Sequence, residues 1–75
     1  MNICFYWGGV YRVHVIKERS NYFVIVQRHN LVEDFRATQT LSPYATMHNL
    51  EQILAQLAHT VEQAVTAARL GEHQQ

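Results

Sequence analysis

The chain has 75 residues, a single cysteine, 48% apolar and 16% charged residues, and a formal net charge of zero. Those values exclude an intramolecular disulfide scaffold, a four-cysteine zinc site and a strongly basic domain built for a nucleic-acid backbone. What remains is one small domain, residues 1–75, which buries only about 60% of its unfolded surface and is marginal unless a second copy or a partner adds contacts.

Residues 2–7, "NICFYW", are strand formers, and "GG" at 8–9 follows at once. Two glycines between two such runs signal a hairpin, because tight turns need positive φ. Strand character resumes in "VYRVHVIK" (10–17), breaks at "ERSN" (18–21) and returns in "YFVIVQRH" (22–29). A two-residue turn at Gly8–Gly9 pairs Trp7 with Val10 and Cys4 with Val13, and the next loop pairs Lys17 with Tyr22 and Val15 with Val24. Since register sorts the faces, one face then carries Cys4, Tyr6, Tyr11 and the valines 13, 15, 24 and 26. The other carries Ile3, Phe5, Trp7, Arg12, His14, Ile16, Phe23, Ile25 and Gln27. Both are rich in apolar residues, so such a sheet expects cover on two sides, unlike the usual one-sided antiparallel sheet.

The segment 31–41 mixes charge without period. It reads either as a fourth, edge strand at 33–40, with charges that discourage further pairing, or as a flap folded over the sheet. From Ser42 onward the signal is clear. Met47, Leu50, Leu54, Leu57, Val61, Val65 and Ala68 recur at helical spacing, with Ile53 and Ala64 widening the stripe. Ser42–Pro43 or Thr46 supplies the start and Gly71 the stop of a helix over about 43–70. The expected fold class is α+β, an antiparallel meander of three or four strands with one long C-terminal helix on its valine face. About 25 helical residues span roughly 37 Å, so the helix overhangs the sheet.

Catalytic and metal chemistry find little support. His48 and His59 share a helix face but lie about 16 Å apart along its axis, too far for one ion. In this register His14 lies on the opposite face from Cys4, against a thiol–imidazole pair. Glu33 and Asp34 point opposite ways on a strand, against a carboxylate dyad. No enzyme, no metal and no cofactor is expected. Aromatics with interleaved arginine are the ingredients of a single-strand stacking platform, but the acids balance the bases. Nucleic acid is therefore disfavoured. No run approaches the roughly 18 apolar residues of a membrane span, and the start lacks signal-peptide character. A cytoplasmic protein without membrane contact is the expectation.

In size and element order, the opening "MNICFYWGGVYRVHV" and the helix 46–70 resemble the small phage-encoded proteins that seize host machinery. These include anti-CRISPR proteins and RNA polymerase-binding transcription regulators. The resemblance covers the outline and transfers no residues. It implies a non-enzymatic protein that occupies a surface of a host complex, RNA polymerase first and a CRISPR surveillance complex second, in the cytoplasm of the host cell. The expected contact residues are Phe5, Trp7, Arg12, His14 and Phe23, because exposed aromatics with arginine mark interfaces. The competing expectation is a homodimer through the aromatic face or the helix seam, in contact with nucleic acid.

Overall fold

The computed structural model describes residues 2–73. Four strands, β1 (Asn2–Trp7), β2 (Tyr11–Glu18), β3 (Asn21–Arg28) and β4 (Arg36–Leu41), precede one helix, α1 (Pro43–His73). The strands form an antiparallel meander in the order β1-β2-β3-β4. This is the expected α+β architecture, with the edge-strand reading of the fourth segment realised at 36–41. The flap reading fails, because 36–41 pairs with β3, and the preceding residues reach the far face only at its rim, where Asp34 meets Gln27.

The β2–β3 register is the expected one, Lys17 opposite Tyr22 and Val15 opposite Val24, although only Arg19 and Ser20 lie between the paired Glu18 and Asn21. The β1–β2 register is not. Trp7 pairs with Tyr11 and Phe5 with Val13, so the connection holds three residues, Gly8, Gly9 and Val10. Both glycines sit in the left-handed region, at φ 61° and 78°, which residues bearing a Cβ adopt at a cost. One residue of slip exchanges the two faces of a strand. Ile3, Phe5 and Trp7 therefore join the valine face, while Cys4 and Tyr6 turn to the other. The physical reason lies in β1's own alternation. Its odd positions are large and apolar; its even positions are Asn2, Cys4 and Tyr6.

Helix α1 starts beside the end of β4. The Ser42 hydroxyl accepts from the Ala45 N–H at 3.2 Å, and the Ser42 carbonyl accepts from the Thr46 N–H at 3.1 Å. Pro43 occupies the first turn, where its missing N–H costs nothing. The helix returns along β3 and β4, and its Glu62 reaches Arg28 at the far end of β3. Val13, Val15, Val24, Val26 and Leu41 from the sheet meet Ile53, Leu54, Leu57 and Ala58 in a single core. Val61 and Val65 are also buried, and Leu31, Phe35, Val65 and Ala68 together line a small cleft of about 110 Å³. The expected stripe is trimmed at both ends. Met47 is 81% exposed and Ala68 is exposed, Ala64 faces solvent, and Gly71 lies within the helix instead of ending it. The overhang follows from length: the molecule measures 46 × 21 × 17 Å.

Candidate functional site

The face of the sheet turned away from α1 has no covering element among the described residues. Its side chains lie in rows set by the register. Tyr6, Arg12, Gln27 and Arg36 form one row; Cys4, His14, Ile25 and Thr38 the next; Asn2, Ile16, Phe23 and Thr40 the third. Ile16, Phe23 and Ile25 form an apolar centre on the two middle strands, each half-buried. Polar residues ring it.

At one end of the rim, the Arg12 guanidinium donates to the Tyr6 hydroxyl at 3.1 Å and stands 5.6 Å from the centre of the Tyr6 ring. His29 meets that ring edge-on at 5.2 Å. The hydrogen bond to Tyr6 raises the Arg12 pKa further. No carboxylate lies within ion-pair distance of Arg12 among the described residues. Next to it, Asp34 accepts from Gln27 Nε2 at 2.8 Å and pairs with Arg36. The Arg36 hydrogen bond holds the Asp34 carboxyl below its usual range, and the two charges cancel locally. At the other end, Phe23 and Thr40 border a bay of about 790 Å³ that the β2–β3 turn encloses with Glu18, Arg19 and Tyr22.

Of the five expected contact residues, the structure gathers Arg12, His14 and Phe23 on this face. It places Phe5 and Trp7 on the opposite face, half-buried, where they pack against the core beside α1. The expectation of five residues on a single patch is thereby corrected, and the cause is the three-residue β1–β2 connection. Tyr6, Ile16, Ile25 and Gln27 complete the open face; Tyr6 was assigned to the covered side by the two-residue turn. The signal for its true place was legible in the alternation Ile3–Phe5–Trp7, which matches the valine face only if the connection has an odd length.

The same slip brings Cys4 directly opposite His14, which overturns the expectation that they lie on different faces. Cys4 is exposed. Nucleophilic catalysis by such a pair also needs a group that orients the imidazole and donors for developing charge. The neighbours of His14 in its row are Cys4 and Ile25, which supply neither. No cluster of three metal-ligating side chains occurs among the described residues. His48 is bound to the Tyr44 carbonyl at 3.0 Å and stacks on the Tyr44 ring at 4.2 Å. No described helix is long and apolar enough to cross a membrane.

On the covered side, Arg28 donates to both oxygens of Glu62, at 2.5 and 2.6 Å. The Arg28 guanidinium lies 5.9 Å from the Tyr11 ring. Arg28 holds the Glu62 carboxyl below its usual range, and burial raises the Tyr11 phenol, as does Glu62. This trio ties the C-terminal half of α1 to the sheet. Its guanidinium is already paired, so the role is structural.

No family model matches the chain, and neither a curated protein nor a solved structure matches it.

Proposed function

We propose that the chain is a non-enzymatic binding domain that docks on a larger protein through the open face of its sheet. The observation that supports this reading most is the make-up of that face: an uncovered apolar centre of Ile16, Phe23 and Ile25 inside a polar rim of Tyr6, Arg12, His14 and Gln27. Protein interfaces have this anatomy, with aromatic and arginine residues carrying most of the energy. A nucleic-acid platform needs several uncompensated cations to follow the phosphates. Here Arg36 is neutralised by Asp34, which leaves Arg12 as the unpaired charge of the face. The outline of the chain makes RNA polymerase the first partner to assay and a CRISPR surveillance complex the second, with occupation of a surface as the mode of inhibition.

The test is direct binding of immobilised wild type and of Phe23→Glu/Ile25→Glu to these purified complexes, with Met47→Glu as the control on the exposed side of the helix. Both substituted positions lie on the face turned away from the helix, outside the core between sheet and helix, and circular dichroism of the variant checks that it stays folded. The expected result is a loss of at least about 100-fold in affinity, equivalent to about 2.7 kcal/mol, for the sheet variant only. Equal loss in the Met47 control, or none in the sheet variant, removes this face from the account.

A further inference from the structure

The outer edge of β1 faces solvent, and its composition is unusual for an edge. "NICFYW" contains no charge and no proline. Edge strands ordinarily carry lysine, proline or a bulge that stops them from pairing with another chain. The other edge, β4, has Arg36 with its Asp34 partner at one end and runs into α1 at the other. Because α1 follows β3 and β4, it covers β1 only in part on the helix side. Ile3 is 44% exposed there, and Phe5 and Trp7 are half-exposed. Beta-1 therefore offers unpaired main-chain groups and an apolar shelf together.

We infer that β1 pairs antiparallel with β1 of a second copy about a two-fold axis, joining two sheets into one of eight strands. A two-fold contact sets each residue of the patch against the same patch. A strand with charges spaced to face one another would repel its copy, since like charges directly opposite destabilise a pair; this strand has none. Opposed residues in a ladder share a face. With Phe5 on the axis, Phe5 opposes Phe5, Ile3 opposes Trp7 and Cys4 opposes Tyr6. That register uses only residues 3–7 and merges the two Ile3–Phe5–Trp7 shelves into one apolar strip between the two helices. The second copy also supplies the buried area that so short a chain lacks. The contact is one ladder of five residues with a narrow apolar strip, so the dimer is weak and dissociates on dilution. The contact runs along the edge of the sheet and needs no partner on the open face, although its Cys4 and Tyr6 side chains border that face.

Sedimentation equilibrium over a concentration series reaching about 1 mM, paired with circular dichroism, tests the inference. Wild type is expected to move from monomer to dimer mass. Cys4→Lys/Tyr6→Lys, at two exposed positions, is expected to keep its circular dichroism spectrum and stay monomeric throughout. A trap uses the opposition of Tyr6 to the second copy's Cys4. Tyr6→Cys is expected to become a covalent dimer on mild oxidation, whereas wild type does not, because its own two thiols lie diagonally across the axis. A monomeric wild type over the whole series, a dimeric lysine variant, or a Tyr6→Cys chain that fails to crosslink would overturn the proposal.

Discussion

At the scale of single residues, the Arg28–Glu62 pair ties helix to sheet. Their side chains are 20% and 40% exposed, so water screens the pair and the contribution is modest, about 0.5–1 kcal/mol. The Glu62 carboxyl is held below its usual range. Its contribution is therefore complete above the ordinary carboxylate pKa and fades as pH falls through the lowered value. Urea unfolding of Glu62→Gln should show that loss at pH 7 and a gap to wild type that closes in acid. A gap independent of pH would mean that the pair acts only by shape. Arg19 has φ 54°, in a region that asparagine enters more readily than arginine. Arg19→Asn should raise the unfolding free energy by about 0.5 kcal/mol, read from the same urea curves.

At the scale of elements, the helix is buried most deeply through its middle, and in its first turns Ala45 and Leu50 touch the core while Met47 does not. Leu54 is buried at 3% exposure, whereas Met47, two turns earlier on the same expected stripe, is bare. Leu54→Ala should cost about 2–5 kcal/mol, and Met47→Ala within about 0.5 kcal/mol of nothing; denaturant midpoints distinguish them. Comparable losses would mean that Met47 packs as well. Much of this level was legible in the chain. Period-two alternation gave β2 and β3, and the even-length break at 18–21 gave their mutual register, with the valines at 13, 15, 24 and 26 on one face. Period 3.6 gave the helix, and the charged edge strand was one of two readings of 31–41. The face of β1 was misread because "GG" fits a two-residue turn as well as part of a three-residue one. A local turn signal carries no information on loop parity; only packing of Phe5 and Trp7 against the helix side does. The helix stop at Gly71 failed for a related reason, since a glycine near a helix end marks a preference and nothing in the surroundings of Gly71 enforces it.

At the scale of the whole molecule, the sheet has one face closed by a helix that sits to one side and one face that no other described element covers. The off-centre helix explains why Phe5 and Trp7 are only half-buried, and why the apolar surface is shared between an edge and a face. Of the candidate site, Arg12, His14 and Phe23 were legible because β2 and β3 were read in register. Tyr6 was not, because its face depended on the loop before β2. Hydroxyl-radical footprinting of the protein, free and bound to whichever complex it captures in the binding assay, measures this division most directly. The expected result is protection of Tyr6, His14 and Phe23 with Tyr44, Met47 and Leu70 unchanged. Protection confined to the helix, with the three sheet residues labelled as in the free protein, would contradict it.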